Sequence, residues 1–139
     1  MDPKIAEKVK ESFSRQAYMR TISASITQID QAQVEIQVPI TPSISQQQGF
    51  AHAAVAFGIG DSAAGYAALT LLPIDQEVVT SEMKVNLLAP AVGDRLIAKG
   101  SVVKAGRRLI VVQAHVFAQA GEKSTLVALM QGTMVPVDL

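Results

Sequence analysis

Between Phe50 and Ile74 the chain carries a single charged side chain at neutral pH, Asp61. An isolated carboxylate in so apolar a segment needs partners or a wet cavity, because an unpaired buried charge is expensive. The length and alanine content of the segment predict one long helix beginning close to His52, with strand patterns on both sides of it. Asp61 then falls near its middle, with Phe57, Gly58, Ala64 and Gly65 three and four residues away, so mostly bare backbone lies beside the carboxylate. Glycine costs about 1 kcal/mol against alanine inside a helix, so Gly58, Gly60 and Gly65 together imply that something approaches this helix closely. The segment is long enough to span a bilayer. It is only mildly apolar, however, and Asp61 and His52 would be costly in lipid. A helix buried by a sheet accounts for the same composition without those costs.

The remainder of the chain supplies that sheet. Asp2-Pro3 reads as a helix N-cap with proline at the first helical position, and Ile5, Val9 and Phe13 recur every four residues, which predicts a short amphipathic helix to about Gln16. Ile22, Ala24 and Ile26 alternate with polar residues, as do Val34, Ile36, Val38 and Ile40, and a turn around Asp30-Gln31 makes these a hairpin. Pro39 and Pro42 end the second strand, and Thr41 to Gln48 form a polar loop into the central helix. After Pro73 the period returns to two, with Met83, Val85 and Leu87 on one face up to Ala89-Pro90. Three more strands follow over Arg95 to Lys104, Leu109 to Gln119 and Ser124 to Val135. The order predicts one α+β domain over residues 1–139, with an N-terminal helix over 1–17 and a core over 20–137 in which a curved antiparallel sheet wraps one long helix.

Composition removes several classes of function. Twelve basic and twelve acidic side chains cancel, so no net field recruits nucleic acid or an anionic membrane. Without cysteine there are no disulfides, thiolate metal ligands or cysteine nucleophiles. The N-terminus is charged and amphipathic rather than signal-like, which gives a cytoplasmic expectation. Gly58-Ile59-Gly60 lies inside the helix and lacks the third glycine of a dinucleotide loop. Ser62 lacks the flanking glycines of a nucleophile elbow, and two histidines without paired ligand spacing support neither a triad nor a metal site. His115 shares a strand face with Gln113 and Phe117, as a surface or interface residue.

Nine residues of helix separate His52 and Asp61, about 13 Å at 1.5 Å per residue, so one chain cannot bring both to the same bond. The free N–H groups at the helix start, around Ala53, can stabilise an oxyanion, and they too lie about 12 Å from Asp61. If two copies pair about a two-fold axis with central helices antiparallel, each Asp61 reaches the start of its partner's helix. Lys104, Arg107 and Arg108 cluster at one hairpin, either as a solvated edge or as a phosphate contact.

These residues resemble the hotdog-fold acyl-CoA thioesterases, and within them the PaaI-like group associated with phenylacetate degradation. The resemblance runs from about Ile22 to Val135. Its strongest motif, a polar amide followed by His-Gly-Gly and then an Asp nine residues after the His, reads here Gln46, His52-Ala53-Ala54 and Asp61. Val79 to Pro90 looks like the family's strand ending in proline, and Val103 to Leu109 resembles its basic hairpin. The resemblance implies hydrolysis of an acyl-CoA thioester with no metal or separate cofactor, coenzyme A entering only as part of the substrate. Asp61 matches the catalytic carboxylate, as general base or nucleophile, and Ala53 matches the glycine whose N–H binds the thioester oxygen. Gln46 matches an asparagine that helps place substrate or water. Thr80 falls where relatives carry a serine or threonine near the attacking water, on the same chain as Asp61 and opposite Ala53. His52 completes the candidate catalytic set. Gly49, Phe57, Ser81, Lys104, Arg107 and Arg108 are the candidate substrate contacts.

The same resemblance implies a homodimer with inter-subunit sites, pairing further into a tetramer. Two departures stand out. Alanines replace both glycines, keeping the N–H donors but adding methyl groups where the thioester passes, and glutamine replaces asparagine. A non-catalytic acyl-CoA-binding module and a hotdog hydratase or dehydratase are the competing expectations.

Overall fold

The computed structural model describes residues 1–138. Helix α1 covers Pro3–Ser14 and α2 Ala17–Thr21; strands β1 (Ser25–Asp30) and β2 (Gln33–Pro39) follow. A single 3₁₀ turn at Pro42–Ile44 leads to α3 (Ala53–Leu69), and then come β3 (Glu77–Leu87), β4 (Arg95–Ala105), β5 (Ile110–Ala120) and β6 (Lys123–Val137). The six strands form one sheet in the order β1-β2-β4-β5-β6-β3, every neighbouring pair antiparallel.

Alternation in the strands decides which side the helix occupies. Val34, Ile36 and Val38 of β2, Leu96 and Ala98 of β4, Val112, Ala114 and Val116 of β5, and Met130 and Met134 of β6 are all buried in one cluster with Ile59, Ala63, Ala64 and Leu69 of α3. This is the wrapped helix that the sequence predicts, and burying its apolar side supplies the main drive to fold. At one place helix and sheet touch without side chains between them. A Cβ on Gly100 of β4 would overlap the backbone carbonyl of Ala63, so only glycine admits the helix at that height.

The central helix starts where expected, with His52 as its N-cap. The first helix differs. It ends at Ser14, and α2 takes up residues that the sequence pattern leaves between helix and strand. Ile22, expected in the first strand, is instead a buried residue at the end of α2; Met19 and Ile22, three apart, share a helical face, whereas the alternation of Ile22 with Ala24 and Ile26 is what points to a strand. The chain then turns through Ser23 at φ 61° and the strand begins at Ser25.

The β1–β2 turn, one residue later than read, places Ala32 at φ 66° and points its N–H at the hydroxyl of Thr70, 2.8 Å away. Thr70 is buried and also donates to the Ala67 carbonyl at 2.7 Å, so one side chain ties the hairpin to the end of α3.

Strand β3 lies at the edge of the sheet and starts at Glu77, well before Met83. A bulge between Thr80 and Glu82 shifts its register against β6. Met83 and Val85 pack against the core as the alternation requires, but Leu87 is 59% exposed, because none of the described residues covers this end of an edge strand.

Candidate active site

Asp61 stands half-buried in the middle of α3, and the bulge in β3 brings Thr80 to it. The Thr80 hydroxyl donates to Asp61 Oδ1 at 2.7 Å. The pair opens onto a cleft of about 240 Å³ whose walls include Ser12 and Gln16 from α1 and its junction with α2, Tyr66 and Leu69 from α3, and Glu77 from β3. The isolated acid thus has one hydroxyl partner and one wet face, the two conditions that its apolar surroundings impose. Among the described residues no other group donates to its carboxylate.

The start of α3 lines a different cleft, of about 330 Å³, together with Gln46, Phe50, Leu87 and Pro90. His52 accepts a hydrogen bond from the Ala54 N–H on its Nδ1 at 2.9 Å, which makes it a helix cap. The His52 carbonyl takes the Val55 N–H at 3.0 Å. Ala53, exposed, is left with an N–H that no described residue accepts. A free N–H at the positive end of a helix dipole is suited to hold developing negative charge.

Gln46 is used by its own loop. Its Oε1 accepts from the N–H groups of Gln48 and Phe50, and its Nε2 donates to Gln48 Oε1 at 2.8 Å. Gly49, at φ 84°, closes that turn with its N–H on the Gln46 carbonyl.

The structure therefore brings Asp61 and Thr80 together, and separately brings Gln46, His52 and Ala53 together, on opposite halves of one helix. Phe57 lies between them, one turn from Ala53 and one from Asp61, and is 37% exposed. Ser81 is exposed in the bulge. Lys104, Arg107 and Arg108 lie at an exposed hairpin tip, clear of both clefts.

Several neighbours of the acid carry no local sequence signal. Ser12 and Gln16 are four residues apart on the first helix and its end, and both reach the Tyr66 hydroxyl, at 3.1 and 2.7 Å. Gly58 does have an explanation: the Tyr18 ring packs so closely that a Cβ there would lie 2.9 Å from it. Gly60 gives room to Met130 in the same way. Among the described residues no three metal-ligating side chains cluster, and no helix is long and apolar enough to cross a membrane.

Residues 48–125, more than half of the chain, match the family model described as the thioesterase superfamily. The chain belongs to the thioesterase superfamily. A thioesterase family protein from Silicibacter pomeroyi is 38% identical and superposes with a TM-score of 0.94 over 97% of this chain and 99% of its own. A conserved protein of Pseudomonas aeruginosa is 27% identical, with a TM-score of 0.79 over 88% and 94% of the two chains. The PaaI protein from the phenylacetic acid degradation operon of E. coli shares the fold, with a TM-score of 0.84 over 96% and 94% at 21% identity. The fold is the hotdog fold of this superfamily, consistent with the PaaI-like resemblance, and membership supports hydrolysis of a thioester.

Proposed function

We propose that the protein is an acyl-CoA thioesterase, releasing free acid and CoA at two composite sites of a homodimer. Each site joins Asp61 and Thr80 of one protomer to the Ala53 N–H of the other. One observation carries this reading: the hydroxyl-bonded acid and the unpaired helix-start N–H sit in separate clefts of one chain, about 12 Å apart along α3. A second copy supplies the missing half to each. Strand β3 supports such pairing, being an 11-residue edge strand with Val79 and Leu87 exposed and an unpaired backbone side. Two such dimers then associate into a tetramer, in a cytoplasmic protein of one domain.

In the reaction, Thr80 fixes one carboxylate oxygen of Asp61 and leaves the other for chemistry. As a general base, Asp61 takes a proton from water while the water oxygen bonds to the thioester carbon. The carbonyl oxygen becomes an oxyanion at the partner's Ala53 N–H; the C–S bond then breaks, and the proton passes to the CoA thiolate. As a nucleophile, Asp61 itself attacks the carbon and expels CoA as its thiolate to leave a mixed anhydride. Water then opens the anhydride, releasing the free acid and returning the Asp61 carboxylate, and the proton given up by water goes to the thiolate. Lys104, Arg107 and Arg108 offer an exposed cationic tip for the phosphates of CoA.

The engagement of the Gln46 amide within its own loop favours a second reading, an acyl-CoA-binding module without turnover. A hydratase has less support, since His52 spends Nδ1 on the helix cap and lies a helix half-length from Asp61. Thiol release from a panel of short, medium, long and aryl acyl-CoAs separates these. Turnover that disappears in Asp61→Ala supports the thioesterase; turnover undiminished in that variant overturns it, and saturable binding without thiol release selects the binding module.

A further inference from the structure

Of the ion pairs made by α1 and its end, one differs from the others. Lys10–Glu7 and Arg15–Glu11 are surface pairs three and four residues apart, with all four side chains at least 61% exposed. Lys8 is turned inward instead, 14% exposed, and pairs at 3.3 Å with Glu77, the first residue of β3. Its Nζ also donates to the carbonyls of Ile74, at 3.0 Å, and Gln76. An ammonium carries three N–H donors, so all of them are engaged, and every acceptor lies on the approach to β3 or at its start. Docking α1 does not require this lysine, because Ile5 and Val9 bury one face of the helix and Phe13 meets the Tyr66 ring edge-on.

Resting on the thioesterase reading above, we propose that Lys8 is a positioning residue: it holds the start of β3 where the Thr80 hydroxyl meets Asp61. The strand cannot do this by itself. As an edge strand, β3 is supported within the chain by β6 alone. The bulge between Thr80 and Glu82 interrupts that ladder directly after Thr80, which leaves Glu77 to Thr80 as a short piece paired with the end of β6, Val137 to Met134. Val78 is the one residue of this piece that packs against the core, so apolar burial holds it weakly. Gln76 also donates to Asp138 at 3.3 Å, but at the exposed surface. Lys8 pins the free end, about 10 Å of strand from Thr80. Asp61 is located independently, because its helix rests on β4 through the contact of Gly100 with Ala63. The fit of hydroxyl to acid therefore depends on what holds the piece that carries Thr80. Charge works in the same direction: Glu77 lines the same cleft as Asp61, and its pairing with Lys8 spares the acid an unpaired carboxylate as neighbour.

The test is a double-mutant cycle on the full-length protein, read as kcat and KM for thiol release from hexanoyl-CoA and benzoyl-CoA. Lys8→Met keeps the length of the side chain and should lower kcat about fivefold with KM nearly unchanged. In a Thr80→Val background the same substitution should cost nothing further, because Lys8 acts through Thr80. Lys10→Met, at an exposed lysine of the same helix, should leave kcat as it is. Should Lys8→Met fail to fold, Glu77→Gln keeps both carbonyl bonds and enters the cycle in its place, with a smaller loss expected. A second readout needs no turnover: in the ligand-free protein the Thr80 methyl resonance, assigned through Thr80→Val, should move in Lys8→Met toward its position in Asp61→Ala. An undiminished kcat in Lys8→Met, or losses that multiply in the double variant, overturns the positioning role. Absence of thiol release from either thioester by the wild type counts against the proposed hydrolysis and leaves the resonance to decide, its movement sustaining the role of Lys8 and a fixed resonance overturning it.

Discussion

Thr80 donates its hydroxyl proton to Asp61 Oδ1 at 2.7 Å across the gap between the edge strand and the central helix. Bonds to an ionised acceptor are among the stronger hydrogen bonds in proteins, so this one fixes the rotamer of the acid that the proposed chemistry uses.

Asp61→Ala is expected to lower kcat by on the order of 10²-fold or more, as removal of a general base does. Thr80→Val should cost on the order of tenfold by freeing the carboxylate, whereas Thr80→Ser keeps the hydroxyl and most of the rate. Steady-state thiol release on each purified variant, with circular dichroism to confirm folding, checks the series.

Ala53→Pro removes the free N–H with little other damage. Proline is tolerated at the first position of a helix, and His52 already has the extended backbone, φ −63° and ψ 138°, that a following proline requires. The variant should lose on the order of 10²-fold in kcat, the usual loss for an oxyanion donor. Mixing and refolding it with Asp61→Ala should restore about a quarter of wild-type activity, because half of the dimers are mixed and each mixed dimer holds one intact composite site. No recovery on mixing, in protomers shown to exchange, would overturn the composite site.

His52→Ala should weaken the start of α3 by about 1 kcal/mol, the common cost of a lost N-cap. A fall in Tm of roughly 3 °C is the readout for a domain of this size. His52→Asn, which restores a capping side chain, should recover most of it.

Thr70→Val keeps the volume of a buried side chain but leaves the Ala32 N–H without its acceptor. The expected loss is about 1–3 kcal/mol in denaturant unfolding, the penalty for an orphaned donor. Hydrogen exchange at Ala32 should accelerate selectively.

The length and alanine content of its segment make the central helix legible in advance, and the two-residue alternation of the flanking stretches does the same for the sheet that wraps it, because alternation reports which face is buried regardless of what covers it. The same reasoning located Asp61, the one charge in the apolar segment, and His52 at the helix start. It did not find α2, since Met19, Ile22 and Ala24 are too few to separate a helical turn from a strand. Nor did it find Ser12, Gln16 and Tyr66 around the acid: contacts between residues fifty or more apart leave no local period, and serine and glutamine on a surface helix look solvated. Gly58 marked a close approach without naming Tyr18 as its cause. The loop role of Gln46 was equally hidden, because the backbone donors it accepts from exist only once Gly49 has turned the chain.

Where Gly100 lies against Ala63, main chain rests directly on main chain. Such a junction has no rotamers to adjust and almost no compressibility, so it sets a fixed standoff between the helix bearing the acid and the sheet that holds the hydroxyl. Side chains elsewhere in the interior can be exchanged and repacked while that standoff holds, which leaves the interior free to vary around a rigid datum only two residues from Asp61.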